Sequence, residues 1–299
     1  MKSTIGFLAI SAALISAAHA DVVVDYPDFG NTAGLTLVGN AATAATGDGN
    51  VLRLTPAAGG QSGAAYSTTA ITLGSNATFS TTFKFRFTSA GGWDPADGIT
   101  FVLAAAPTGL GSGGVGMGYA GVPKSVAIEF DTYNNAGYGL GNNDGNSSNH
   151  VSIDTNGALT NASLRNVYDN ASCGLPNGNP PQNDHNVFGC MSNGHVWSVN
   201  IGYDGSALSL SLQDGAGPAF VAFSGVPIDI ASYLGTNQAY VGFTSGTGAG
   251  WENHDILSWK FANTTELTPP VPEPSTYALM LVGLGAIGFA ARRRVGSRA

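Results

Sequence analysis

The chain has 299 residues, 11 Lys and Arg against 19 Asp and Glu, and a formal charge of −8. Only 10% of its residues are charged and 43% are apolar, too hydrophobic for general disorder and ample for a large core. Two cysteines exclude a disulfide-rich scaffold and a four-thiolate zinc site; an acidic chain with no basic cluster before its C-terminus excludes a phosphate-binding surface, so no nucleic acid is expected as partner.

Residues 1–20 carry Lys2, the apolar stretch Ile5–Ala18 and then Ala18-His19-Ala20. A basic start, a short apolar run and an A-x-A site predict a secretory signal peptide cleaved after Ala20. The run falls short of the ~20 residues that a spanning helix needs. Beyond it, short alternating segments are separated by Gly, Asn, Ser and Pro clusters, with neither internal repeat nor sustained helical period. In Thr81–Phe87, Phe83, Phe85 and Phe87 share one face, with Lys84 and Arg86 on the other. Leu208, Leu210 and Leu212 alternate with serines in the same way. Val126–Tyr133, Val151–Asp154, Val196–Tyr203, Tyr240–Thr244 and Ile256–Phe261 are further expected strands. Without helices between them a parallel βα architecture is excluded, and one all-β antiparallel sandwich is expected over residues 21–263.

Cys173 and Cys190 lie in a Gly/Asn/Pro-rich loop. An oxidising compartment favours a disulfide between them over a metal site with His185, which has too few ligands at workable spacing. After a linker, 264–271, the chain ends in Pro272-Glu273-Pro274, the apolar run Tyr277–Ala291 and Arg292-Arg293-Arg294. In physical terms this is a short membrane anchor whose arginines stay cytoplasmic. The order of motif, apolar helix and basic end resembles the PEP-CTERM sorting signal over 272–299. That resemblance implies an exosortase-type membrane enzyme as a partner that removes the tail. Transient anchoring through the helix and final residence in the extracellular matrix or at the cell surface follow.

The chemistry concentrates in Glu129-Phe-Asp131-Thr-Tyr133-Asn-Asn135, followed by Asp144 and His150. On a strand Glu129, Asp131 and Tyr133 share a face. Two carboxylates this close repel unless protons, cations or water compensate them. A lone E-x-D is more often a solvated face, but here oxygen ligands continue through Asn135 and Asp144, and an imidazole follows. Ca²⁺ takes such oxygens, and a second ion accepting nitrogen would be Mn²⁺ or another transition metal.

Ser125-Val-Ala-Ile-Glu-Phe-Asp-Thr-Tyr-Asn-Asn135 with His150-Val-Ser-Ile-Asp154 resembles the metal-binding segment of legume-type (L-type) lectins. Leu52–Thr55, Ala96–Ala104, Gly111–Met117, and Val241–Gly248 running into His254–Trp259 agree with that family in the same order. The resemblance spans essentially the whole exported part. It implies a concanavalin-like β-sandwich, a flattened jelly roll, that binds sugars without turning them over. It further implies that Glu129, Asp131, Asp144 and His150 hold the transition metal, and that Asp131, the Tyr133 carbonyl, Asn135 and Asp144 hold Ca²⁺. Sugar contacts would fall on Asp97, a backbone N–H at Gly113 or Gly114, Tyr133, Asn135, and the loop Gly246-Thr247-Gly248 as far as Trp251. The bond before Asp97 would be cis. Two departures stand out: the Asn135-to-Asp144 gap is longer than the family's, and Gly145 stands where a proline is common.

A secreted or surface-associated, metal-dependent carbohydrate-binding protein is therefore expected, with exopolysaccharide or envelope glycans as ligand. Single-site binding would be weak, so retention would need clustering or a homodimer. The rival from another class is a glycoside hydrolase on the same sandwich, which needs two carboxyl groups flanking the bond. Laminarinase-like enzymes use E-x-D-x-E or E-x-D-x-x-E; Tyr133 and Asn134 stand where the second glutamate would be, so no enzyme is expected. A structural matrix protein with a degenerate sugar site is the third reading. Between Asp21 and Val271 lie six of the 11 basic residues and 18 of the 19 acids, leaving the exported body at −12.

Overall fold

The phenylalanine alternation of residues 83–87 marks the middle strand of a two-sheet sandwich. The computed structural model describes residues 22–107, 109–136, 144–171, 173 and 187–264. The expected signal peptide, the sorting signal and His185 lie outside the described residues.

The first strands are β1 (Val22–Tyr26), β2 (Leu35–Gly39), β3 (Ala42–Thr46), β4 (Gly49–Thr55), β5 (Ser62–Ser67) and β6 (Ile71–Thr72). Then come β7 (Phe79–Gly92), β8 (Gly98–Ala104), β9 (Ser125–Asp131), β10 (His150–Thr155) and β11 (Arg165–Asn166). The last are β12 (Trp197–Tyr203), β13 (Ala207–Asp214), β14 (Ala219–Pro227), β15 (Gln238–Gly246) and β16 (Gly250–Ala262), with the short helix α1 (Ile230–Leu234) before β15. The back sheet runs β14-β13-β12-β7-β16-β4-β3, with β1 also on β16. The front sheet runs β11-β10-β9-β8-β15-β5-β2, with β6 also on β15. The pairings are antiparallel, including the central pair β7–β16. Each strand expected from alternation is present with shifted ends; Val126–Tyr133 stops at Asp131, and Ile256–Phe261 extends back to Gly250. Strand β3 carries only Ala and Thr, too little apolar contrast to show a period.

Alternation places Phe83 and Phe85 between the sheets. Phe83 meets Phe130 and Phe243 of the front sheet edge-on, at 5.6 Å and 4.9 Å between centroids, while Phe85 stacks on Trp197 at 6.0 Å. Edge-on and offset contacts suit the ring quadrupole. Trp259 Nε1 donates to Thr81 Oγ1 (3.0 Å), tying β16 to β7 across 178 residues of chain. The β12–β13 hairpin turns on Asp204-Gly205: Gly205 has φ +96°, and Asp204 Oδ1 accepts from the N–H groups of Ser206 and Ala207.

Strands β8 and β9 are buried at every position. One face meets the sandwich core. The other is covered by Met117, Tyr119 and Val122, which pack on Val102, Ala104 and Ala127. Side chains on the outer face of the front sheet are thus shielded from water, and this face carries the acids. Cys173 and Cys190 form the expected disulfide, with Cα atoms 5.4 Å apart. Asn149 ties that loop to β10. Its Nδ2 reaches the carbonyls of Val167, Asn170 and Gly189, and its Oδ1 accepts from Met191 N–H.

Phe85 is wholly buried among Phe87, Phe130 and Trp197. Phe85→Ala is expected to cost about 3–5 kcal/mol in urea unfolding followed by tryptophan fluorescence. Lys84→Ala, on the exposed face of the same strand, is expected to stay within about 0.5 kcal/mol.

Candidate functional site

Strict alternation on β9 sends Val126, Ile128 and Phe130 into the core and Glu129 and Asp131 to the shielded outer face. Strand β10 does the same, with Val151 and Ile153 inward and His150, Ser152 and Asp154 outward. Register sets His150 opposite Asp131 and Ser152 opposite Glu129. His150 Nε2 lies 3.2 Å from Glu129 Oε1, and both side chains are buried. Asp144 arrives from the following loop, and one ligand atom each of Asp131, Asp144 and His150 lie within 4.8 Å of one another.

Backbone and amide donors hold the oxygens. Asp131 Oδ1 accepts from Tyr133 N–H (2.7 Å), and Asp144 Oδ2 from Asn135 N–H (2.5 Å). Asp144 Oδ1 accepts from Asn161 Nδ2 (3.0 Å), and Asp154 Oδ1 from Thr160 N–H (2.7 Å). Burial is the largest cause pushing the Asp131, Asp144, Glu129 and Asp154 carboxyls up from their usual range; for Glu129 the adjacent Asp154 carboxylate comes next. Glu129 Oε2, Asn135 Oδ1, His150 Nδ1 and Asp154 Oδ2 are buried and have no hydrogen-bond partner among the described residues. Such atoms are costly to leave dry and unpaired. Several oxygens and one imidazole nitrogen suit divalent cations, so the residues fit the ions that the sequence resemblance implies.

Asp97 sits beside this cluster. The Ala96–Asp97 bond is cis. Asp97 N–H donates to the Gly246 carbonyl (3.1 Å), and Thr132 N–H, between Asp131 and Tyr133, donates to the Asp97 carbonyl (3.0 Å). Gly98 follows with φ +137°, and a Cβ there would stand 2.2 Å from the Phe130 carbonyl, so only glycine fits. Asp97 is 4% exposed, and among the described residues no donor reaches its Oδ2. Two glycines face that oxygen: ideal Cβ atoms on Gly248 and Gly114 would lie 3.4 Å and 3.9 Å from it. Burial pushes the Asp97 carboxyl up to about 7; the nearby Gly248 N–H, itself bonded to the Gly250 carbonyl (3.1 Å), opposes the rise, and the charges of Asp144 and Glu252 add to it.

Gly246 packs on the Gly114 backbone, so the loops carrying Gly113, Gly114, Gly246 and Gly248 close round Asp97. Asn135 is buried and Tyr133 half-buried on the adjoining loop. Two of the expected sugar contacts also have partners within the protein. Thr247 Oγ1 donates to the Ala58 carbonyl and accepts from Gln61 N–H. The Trp251 ring packs against Gly91 and Gly92, where Cβ atoms would each come within 2.6 Å of it.

Sequence reading passed over the support beneath Asp97. Glu252 is wholly buried, and its Oε1 accepts from Thr132 Oγ1 (2.9 Å) and Ser192 Oγ (3.1 Å). His254 Nδ1 lies 2.6 Å from Thr55 Oγ1 and 2.9 Å from Ser245 Oγ, which donates to the Gly98 carbonyl. Through Ser245, His254 thus steadies the peptide after Asp97. No spacing signals Glu252, because its partners come from distant segments. His195 is half exposed and pairs with buried Asp214 at 2.7 Å. Trp93, also overlooked, is 63% exposed four residues before Asp97.

The legume lectin β-barrel domain profile matches residues 28–258, and the PEP-CTERM protein-sorting motif matches residues 270–294. The galactose-binding lectin of Arachis hypogaea is 29% identical over 64% of this chain and 62% of its own length. Truncated lectin 2 of Medicago truncatula is 30% identical over 78% of this chain and 79% of its own. Among solved structures, peanut lectin superposes with a TM-score of 0.62 at 23% identity, over 81% of this chain and 98% of that one. The lectin from Bauhinia forficata in complex with GalNAc does so with 0.61 at 22%, over 80% and 96%. These relatives are carbohydrate-binding proteins without enzymatic activity, and the PEP-CTERM motif is a signal for export, surface targeting and exosortase processing. From residue 28 to 258 the chain belongs to the L-type lectin family, and it carries a PEP-CTERM sorting signal behind that domain.

Proposed function

We propose that this is a secreted or surface-held lectin whose sugar binding depends on bound cations and whose ligand is exopolysaccharide or an envelope glycan. One observation carries the reading: among the described residues no donor reaches Asp97 Oδ2, a buried carboxylate oxygen that faces the bare backbone of Gly114 and Gly248. An ionised carboxylate accepts hydrogen bonds from two sugar hydroxyls, the Asn135 amide can donate one, and the Tyr133 ring offers an apolar face to a pyranose. Glycine at 113 or 114 lets a main-chain N–H approach the ligand.

In this proposal Glu129, Asp131, Asp144 and His150 hold a transition-metal ion such as Mn²⁺, and Asp131, the Tyr133 carbonyl, Asn135 and Asp144 hold Ca²⁺. The ions supply positive charge that offsets the crowded acids. The chain's own residues do the rest: Thr132 N–H transmits the position of Asp131 to the Asp97 carbonyl, and Glu252 holds Thr132 from below. Removing the ions would therefore loosen the sugar carboxylate without touching it. Export brings the domain to glycans outside the cell, and the tail is removed by an exosortase-type enzyme.

Two measurements check this. On a glycan array the full chain is expected to bind in Ca²⁺ and Mn²⁺, to release in EDTA and to recover when Ca²⁺ returns; released oligosaccharide products, or binding indifferent to EDTA, would overturn the proposal. Asp97→Asn, which removes the charged acceptor, is expected to weaken binding about 10- to 100-fold. Protonation supplies the second test. The buried acids keep protons in the folded, cation-free protein that the unfolded chain loses from about pH 4 upward. The unfolded state then binds fewer protons, so cation-free stability falls as pH rises through this range. Ca²⁺ replaces those protons. The rise in Tm on adding Ca²⁺ is expected to be larger at pH 8 than at pH 5, by calorimetry.

A further inference from the structure

Trp93 is the most exposed large apolar side chain among the described residues, at 63%. A lone exposed indole is ordinary on a protein surface, and exposure alone would mean nothing. Its place gives it meaning. Trp93 follows Gly91 and Gly92 at the end of β7, where β7 pairs with β16 through Gly92–Gly250 and Gly91–Trp251. Its N–H donates to the Ala249 carbonyl (3.3 Å), and Ala249 adjoins Gly248, the glycine against Asp97 Oδ2. A Cβ on Gly250 would stand 2.2 Å from the Asp94 carbonyl and 3.1 Å from Ala96 Cβ, so the segment from Trp93 to Asp97 is seated along the 248–250 loop. The indole therefore stands on an anchored backbone at the rim of the sugar site.

The second rim tryptophan is differently disposed. Trp251 is half-buried with its ring packed against Gly91 and Gly92. Part of its apolar surface is already used by the protein, whereas Trp93 is largely open to solvent. A polysaccharide does not end at the sugar that Asp97 holds; its next unit must leave the site across the rim. We propose that Trp93 is a stacking platform for that next unit, a second subsite by which the protein selects extended oligosaccharides over single sugars. This rests on the lectin reading above. An aromatic ring offers a pyranose a broad apolar face at low entropic cost, because only two side-chain torsions must be fixed.

The test uses the full chain, with free sugars as competitors against an immobilised polysaccharide. The probes are methyl glycosides of galactose, glucose and mannose and linear tetrasaccharides of the same three. The wild-type protein is expected to prefer the tetrasaccharide of its favoured series roughly tenfold over the matching glycoside. Trp93→Ala should abolish that preference and leave glycoside affinity within about twofold, while Trp93→Phe should restore part of it. Preference retained in Trp93→Ala, or glycoside and tetrasaccharide weakened by the same factor, would overturn the subsite. So would a wild type indifferent to chain length, a result that leaves the lectin reading standing. Failure of the wild type to bind any of the probes or the immobilised polysaccharide would overturn both.

Discussion

Five carboxylates, Asp97, Glu129, Asp131, Asp144 and Asp154, are packed out of water around one end of a single sheet. Burial and mutual repulsion both favour protonating such groups, so the assembly stands only if something else repays their lost hydration. Part comes from fixed donors: the N–H groups of Tyr133, Asn135, Thr160 and Asn161 and the Asn161 amide all point at these oxygens. Among the described residues several of the oxygens still have no donor. That residual deficit is what the proposed cations would offset, and the surrounding structure can be understood as the means of maintaining it.

The means are two covers and a floor. A segment bearing Met117, Tyr119 and Val122 roofs the outer face of β8 and β9. The aromatic core, from Phe83 to Trp259, forms the floor and fixes the register that sets Asp131 opposite His150. Asn149 fastens the disulfide loop beside His150, closing the remaining side. Asp97 stands just before β8, and its carbonyl accepts from the N–H of Thr132, the residue after Asp131. In the proposed lectin the oxygen offered to sugar and the oxygens offered to cations are therefore separate groups that meet at this peptide, and Glu252 and Ser245 brace it from the back sheet and from β15.

The frame was readable from sequence because its core strands alternate strongly, as in Phe83-Lys84-Phe85-Arg86-Phe87. Strand β3, made of Ala and Thr, was not, since its burial is shallow and its side chains are alike in size. The acids were readable as a group because Glu129, Asp131 and Asn135 are close in the chain, and their assignment to ions came from the family pattern. Glu252 and Trp93 were not. The first acts through partners 60 and 120 residues away, and the second through a rim that exists only when β7 and β16 are paired. Thr247 was readable as part of its loop, but the bonds of its hydroxyl to the neighbouring 58–61 segment were not, because that segment is distant in the chain.

The bond between Trp259 and Thr81 joins two ends of a very long stretch of chain. A polypeptide is synthesised from its N-terminus, so β7 is complete well before the strand that will lie beside it. The middle of the back sheet must wait, its edge unpaired, until β16 arrives. Closing so distant a contact is slow, and open edges invite pairing between copies. The body's surplus of negative charge then has a kinetic meaning: it holds half-folded copies apart during the wait.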